Sequence, residues 1–215
     1  MAKPVLRIII GSTRPGRVGP AVAGWIAERA REHGGFDVQV TDLAALNLPI
    51  LDEPNHPRLH QYVHQHTKDW SALVEGSDAF IFVTPEYNYA FNAALKNAID
   101  YLHGEWQHKP AGIVSYGGVA AGTRAAQMLK QVITTLRVMP VPEAVRISTS
   151  FWVRKTSFSP EATSVITCFA SAERWWITGR ASSRSTSSGT IAGPGVINRG
   201  LRISRILGRF FGSRL

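Results

Sequence analysis

A doubly wound α/β domain around a five-stranded parallel sheet is the fold class predicted by this chain of 215 residues. Three observations carry the prediction. Short apolar runs recur along residues 1–150, apolar at successive rather than alternate positions, as strands buried on both faces require. The runs give way to glycine-, proline- or serine-bearing loops. Helical periodicity then follows, so that strand and helix alternate across short links.

Val5–Ile10 is the first such strand, and the Gly/Pro/Arg loop Gly11–Pro20 follows it. Ala21–His33 predicts a helix, with Val22, Trp25, Ile26 and Ala30 near one face and Gly34-Gly35 as its stop. Phe36–Thr41 is the second strand. Leu43–Pro57 contains three prolines and reads as a loop that covers a ligand, with Asn55-His56-Pro57 over the site. Arg58–Val74 is the next helix. Phe80–Thr84 is the third strand, expected to end at Pro85, which has no N–H to give to a ladder. Asn92–Leu102 is helical, Ala111–Ser115 is the fourth strand, and Gly117–Gly122 is a second glycine-rich loop. Thr123–Arg137 and Val141–Ile147 complete the alternation as a helix and the fifth strand. Five strands in this pattern fit the flavodoxin-like order 2-1-3-4-5, with residues 1–150 as the domain.

Charge is divided unevenly. Residues 1–150 hold 14 Lys and Arg against 13 Asp and Glu, whereas residues 151–215 hold 10 against 2. The net charge of +9 therefore belongs to the C-terminal part, and nucleic acid is not an expected partner of the domain. Cys168 is the single cysteine, so no intrachain disulfide can form and a cytoplasmic location is expected. No apolar run reaches the length of a membrane span, and the N-terminus lacks a signal-peptide pattern.

Three loops carry the chemistry, and all three leave the same end of the predicted sheet. The first, Gly11-Ser12-Thr13-Arg14-Pro15-Gly16-Arg17-Val18-Gly19, joins a strand to a helix N-terminus, where free amides and the helix dipole favour an anion. Ser12 and Thr13 add hydroxyls, and Arg14 and Arg17 add donors suited to phosphate. Neither a Walker loop nor the Gly-x-Gly-x-x-Gly dinucleotide turn is present. The second loop, Pro85-Glu86-Tyr87-Asn88-Tyr89, suits a flat ligand through its aromatic faces and backbone groups. Glu86 reads as a helix cap or dipole partner rather than a catalytic acid. The third loop, Ser115 to Arg124, has adjacent Gly117 and Gly118 that let the backbone approach a ring closely, and no Gly-x-Ser-x-Gly elbow. His60 and His64 stand at i, i+4 on the predicted helix, but no third metal ligand is evident and no metal is expected.

Four motifs, Gly11-Ser12-Thr13-Arg14, Thr84-Pro85-Glu86-Tyr87-Asn88, Leu95-Lys96-Asn97-Ala98-Ile99-Asp100 and Ser115-Tyr116-Gly117-Gly118, resemble the NADPH-dependent FMN reductase family. Its members include quinone, chromate and azo-dye reductases, and the resemblance spans about residues 4–148. It implies FMN in the crevice and NADPH or NADH as co-substrate. It carries Ser12, Thr13, Arg14, Arg17, Val18 and Gly19 to the phosphate. Pro85, Glu86, Tyr87 and Asn88 go to one side of the isoalloxazine, and Ser115, Gly117 and Gly118 to the other. Some relatives have a second serine at the position of Arg17. The resemblance further implies hydride transfer to the flavin and on to a small acceptor such as FMN or a quinone, with no acid–base residue required. A homodimer or homotetramer is implied, with Asn92–Leu102 near the contact. Arg124 reads as a surface arginine, with contact to the nicotinamide nucleotide as the alternative.

The resemblance stops near Ile147. Relatives end in an acidic, alanine-rich helix, whereas this chain continues with serine and arginine and has no acid after Glu173. That composition suggests a shifted reading frame or an unrelated replacement. Resequencing the gene tests this, and a clean in-frame coding region removes the frameshift version. Within residues 151–179, Ser159-Pro160-Glu161 is a good helix start, and Ala162, Val165, Ile166, Phe169, Ala172 and Trp176 follow helical spacing, so this segment reads as a substitute for the lost helix. Residues 180–215 read as a basic, poorly ordered tail. Two other classes fit parts of the chain. An electron carrier is disfavoured because such carriers are usually acidic. Tail binding to a membrane or nucleic acid through Val196–Phe211 is weakened by Gly200 and Gly208.

Overall fold

A computed structural model describes residues 2–149. The expectations for segments 151–179 and 180–215 lie outside the described residues. Five strands, β1 (Val5–Ile10), β2 (Asp37–Asp42), β3 (Ala79–Pro85), β4 (Pro110–Gly117) and β5 (Met139–Ser148), form one sheet in the order β2-β1-β3-β4-β5. Every neighbouring pair is parallel. The expected order is the one observed. Between the strands lie α1 (Gly19–His33), α2 (Leu43–Leu46), α3 (Gln65–Glu75), α4 (Ala93–Asp100) and α5 (Thr123–Thr135).

Apolar surface is buried on both faces of the sheet, which is why β3 is buried from end to end. On one face α1 lays Val22, Ala23, Ile26 and Ala30 against Leu6, Ile8 and Ile81. The same face continues through Val114, Val141 and Val145. On the other, α3, α4 and α5 bring Trp70, Leu95, Ile99, Leu129 and Ile133 onto Ile9, Phe80, Phe82 and Ile113. Trp106 anchors that layer, with ring centroids 5.0 Å from Phe80 and 5.8 Å from Trp70. Burying each such ring contributes about 1.5–3 kcal/mol. Among the described residues no helix is long and apolar enough to cross a membrane.

Most element ends differ from the sequence reading by one or two residues, α2 lies within the expected loop Leu43–Pro57, and two further departures have a clear physical reason. The helix expected at Arg58–Val74 begins only at Gln65. Pro57–Leu59 is instead a single 3-10 turn, closed by His60 in the left-handed region at φ 56°. Glu53 then takes hydrogen bonds from the amides of Val63 (2.8 Å) and His64 (3.0 Å), capping α3 from a distant loop. Strand β3 also includes Pro85. In a parallel ladder successive residues bond to opposite neighbours. The Glu86 amide donates to the Tyr116 carbonyl on β4 at 2.9 Å, so the Pro85 nitrogen faces the side where β1 has already ended at Ile10. No ladder bond is lost.

Register is what assembles the site. Ile10 is level with Val83, Val83 with Val114, and Thr84 with Ser115. The three glycine- or proline-bearing loops therefore leave the sheet side by side at its carboxyl edge.

Candidate active site

Loop one begins where Gly11 donates to the Val83 carbonyl at 2.9 Å. A Cβ at Gly11 would meet Asn92 Oδ1 at 3.0 Å and the Val83 carbonyl at 3.2 Å, so a side chain there would crowd the turn. Asn92 fixes the turn by donating through Nδ2 to the Gly11 carbonyl at 2.6 Å, and it is itself buried. Ser12 is buried behind this turn, its hydroxyl 3.3 Å from the Tyr87 hydroxyl of loop two. Arg17 reaches back to the Ser12 carbonyl at 2.8 Å and pairs with Asp42 at 2.6 Å. It thus ties the start of the loop to the end of β2. Thr13 is exposed and lines a small cavity of about 240 Å³ with Leu43, Asn47 and Ala98.

What remains unpaired in loop one defines its chemistry. Among the described residues, no amide from Ser12 to Val18 donates a hydrogen bond. Val18 begins α1 without any side-chain cap. Arg14 is exposed and has no ion-pair or hydrogen-bond partner among the described residues. Free amides, an uncapped helix N-terminus, a buried hydroxyl and a free guanidinium form a donor set fit for a phosphate.

Loop two is a tight turn. Tyr87 and Ala90 exchange both backbone bonds at 2.9 Å, and Asn88 and Tyr89 between them have φ of 49° and 69°. Two positive central φ values are the requirement of a type I′ turn, and asparagine tolerates that region better than most residues. The turn leaves Tyr87 and Tyr89 exposed. Glu86 takes the role of a cap. Its carboxylate accepts from the Arg124 amide at 3.1 Å in the first turn of α5 and pairs with the Arg124 guanidinium at 3.3 Å. Arg124 also lies 4.0 Å over the Tyr89 ring. It is a surface arginine that joins loop two to loop three.

Loop three carries its glycines for two different reasons. Gly117 sits against Glu86 Cβ and Gly122, and Gly118 faces open space. Gly122, absent from the candidates drawn from sequence, adopts φ +81° and lies against the backbone of Ser115 and Tyr116. Tyr116 projects from β4 toward Gly19, at which a Cβ would lie 3.0 Å from the phenol oxygen. That hydroxyl is buried without a well-formed hydrogen bond among the described residues. Burial pushes it up to about 12 against the opposing effect of the nearby Ser12 hydroxyl, so it is a neutral donor. Ser12, Arg17, Gly19, Tyr87 and Tyr116 thus converge on one wall, and Glu86, Gly117, Gly122 and Arg124 on the next. Asn92 and Asp42 are supporting residues outside the motifs, and Tyr116, inside the fourth motif, is one that the candidate site residues did not include.

The histidines lie elsewhere. His60 follows the 3-10 turn and His64 precedes α3, so they do not share a helix face. No group of three or more metal-ligating side chains occurs among the described residues. Asn55-His56-Pro57 does not cover the crevice. His56 accepts from the Arg58 amide and lies near His103, beyond the end of α4 and toward the opposite edge of the sheet.

These features define a flavodoxin-like α/β protein with a donor-lined crevice at the carboxyl edge of its sheet. Residues 5–152 match the family model described as NADPH-dependent FMN reductase, and the chain belongs to that family. Its cofactors are FMN and NAD(P)H. The chain is 41% identical over 141 residues to an NAD(P)H-dependent FMN reductase of Schizosaccharomyces pombe, covering 65% of this chain and 70% of the relative. It is 36% identical over 143 residues to an NAD(P)H-dependent FMN reductase of Saccharomyces cerevisiae, covering 61% and 74%. The fold is similar to that of FerB, a flavoenzyme NAD(P)H:(acceptor) oxidoreductase from Paracoccus denitrificans, with a TM-score of 0.58 at 20% identity over 82% of this chain and 98% of that one.

Proposed function

We propose that this chain passes hydride from NAD(P)H to FMN held in the crevice, and on to free FMN, a quinone or a similar small acceptor. The observation that carries the reading is the row of undonated amides from Ser12 to Val18 beside an uncapped helix and a free Arg14. Bound flavin supplies the hydride-accepting and hydride-donating centre. The protein's part is to bind and to orient. Ser12, Thr13 and Arg14, with the amides through Val18 and Gly19, hold the phosphate. Arg17 lends its charge from a position fixed by Asp42. Pro85, Glu86, Tyr87 and Asn88 border one side of the ring. Ser115, Gly117 and Gly118 border the other, where Gly118 lets backbone amides approach.

Ser12→Ala removes a buried hydroxyl donor to a charged phosphate. A hydrogen bond to a charged group is worth about 1.5–3 kcal/mol, so FMN affinity is expected to fall about 10- to 100-fold. Flavin fluorescence titration of the full chain measures it, and an unchanged affinity defeats the phosphate assignment. NADPH and NADH oxidation assayed with FMN and with a benzoquinone then identifies donor and acceptor.

The enzyme is also read as cytoplasmic and homo-oligomeric. The single cysteine supports the first. For the second, Ile50 is 87% exposed on a loop held rigidly beside α4, where Asn97 bonds the Pro49 carbonyl at 2.6 Å and the Leu51 amide at 2.9 Å. An ordered apolar tip of this kind suits a subunit contact. Sedimentation of a monomer at micromolar concentration would count against it.

A further inference from the structure

A second polar cavity, of about 430 Å³, opens near the amino edge of the sheet, away from the three loops. Its wall comes from three separate parts of the chain: the 3-10 turn (Arg58), the link from α4 to β4 (His103, Gly104, Gln107) and the end of α5 (Thr135, Arg137). Its size falls within the range typical of small-molecule sites, about 300–1,000 Å³.

The donors face this cavity without acceptors. Neither the Arg58 nor the Arg137 guanidinium has a hydrogen-bond or ion-pair partner among the described residues. Gln107 Nε2 lies 3.2 Å from His103 Nδ1. With the amide donating to Nδ1, the imidazole proton stands on Nε2 and supplies a third donor. Burial, and then the charges of Arg58, His56 and Arg137, hold His103 below the ordinary histidine range against the opposing charge of Glu105, so it serves as a neutral donor between two exposed arginines. The adjacent carboxylate, Glu105, is fully buried, accepts from Tyr62, Ser71 and the His103 amide, and does not line the cavity. No carboxylate lines the cavity to pair with the two arginines, and a bound anion relieves the repulsion between them. Two guanidinium forks and an imidazole N–H match the several oxygens of a phosphate better than a single carboxylate.

We propose that this cavity is a second anion site that takes a phosphate-bearing small molecule, independently of the flavin crevice. The test uses the full chain and inorganic pyrophosphate, titrated calorimetrically with and without saturating FMN. Saturable binding is expected in both conditions. It should weaken at least 10-fold in the Arg58→Gln/Arg137→Gln double variant, whose FMN affinity should match the parent. A measurement free of substitutions runs alongside: pyrophosphate should protect Arg58 and Arg137 from phenylglyoxal, read by peptide mass. Absence of saturable binding overturns the proposal, as does equal affinity in a folded double variant or unprotected arginines. Binding that disappears when FMN is present also overturns it, because it places the anion in loop one. A failure of flavin binding leaves this test intact, since the titration is also run without FMN.

Discussion

Gly122→Ala is expected to cost this protein both stability and flavin. At φ +81° any L side chain is strained, at about 1–3 kcal/mol. The added Cβ would lie 2.6 Å from Ser115 Cβ, 2.6 Å from the Tyr116 nitrogen and 2.8 Å from the Ser115 carbonyl carbon. Two of those three atoms are backbone of β4, a strand paired on both sides, so no flexible side chain can move away. Relief requires shifting β4 or the start of α5, an overpacking cost of about 1–3 kcal/mol more. The combined loss of about 2–6 kcal/mol is a large share of a typical domain stability of about 5–15 kcal/mol. Shifting α5 also pulls the Arg124 amide from Glu86 and separates loop two from loop three. The companion variant is Gly118→Ala, whose Cβ would meet nothing within 4 Å. It should melt like the parent and, with the ring in the place proposed for it beside Gly118, bind FMN more weakly. Thermal melts and flavin absorbance of both variants measure this. A G122A protein with parental melting temperature and yellow colour removes the argument.

The contrast between those glycines shows where sequence reasoning reached and where it stopped. Gly117 and Gly118 were legible because they are adjacent and follow a buried strand. Gly122 is in sequence only the last residue of the glycine-rich loop Gly117–Gly122, yet its φ and its contact with β4 make it the more constrained residue. The sheet order was legible because β1, β3 and β4 are apolar at nearly every position, and an alternation of such runs with helices leaves few topologies. The N-terminus of α3 was not, because its cap comes from Glu53, 10 residues before Val63, and nothing near His64 signals it. Glu86 was correctly read as a cap from its residue type and place. The helix it caps begins 38 residues away, at Arg124, and only the structure supplies that partner. Local chemistry was readable; partners brought together by the sheet were not.

Glu105 is the second place where a large effect is expected, and no motif marks it. Its carboxylate is fully buried. Oε1 accepts from Tyr62 at 2.6 Å and Ser71 at 2.7 Å and lies 3.1 Å from His60 Nε2, while Oε2 accepts from the His103 amide at 3.1 Å. These partners come from the turn before α3, from α3 itself and from the link after α4, so one carboxylate joins three segments on one side of the sheet. Burial alone raises its pKa. The Tyr62 hydrogen bond, its own backbone, the Ser71 hydroxyl and the charge of His60 outweigh that, and the net shift is downward. Glu105→Ala strands these donors, and removing one member of such a buried charged cluster costs about 3–5 kcal/mol. Glu105→Gln keeps the shape but turns donors onto donors, and should cost about 1–3 kcal/mol. The pH dependence has a definite sign. Because folding depresses this pKa, the ionised carboxylate stabilises the native state above its unfolded pKa. That stabilisation is lost as pH falls through the lower folded value. Urea unfolding at pH 7 should therefore separate the parent from E105Q, and the gap should narrow on acidification below the ordinary glutamate range. Equal stabilities at pH 7, or a gap that widens in acid, would refute the ionised cluster. FMN affinity of folded E105Q should match the parent, since Glu105 contacts none of the three loops that build the crevice.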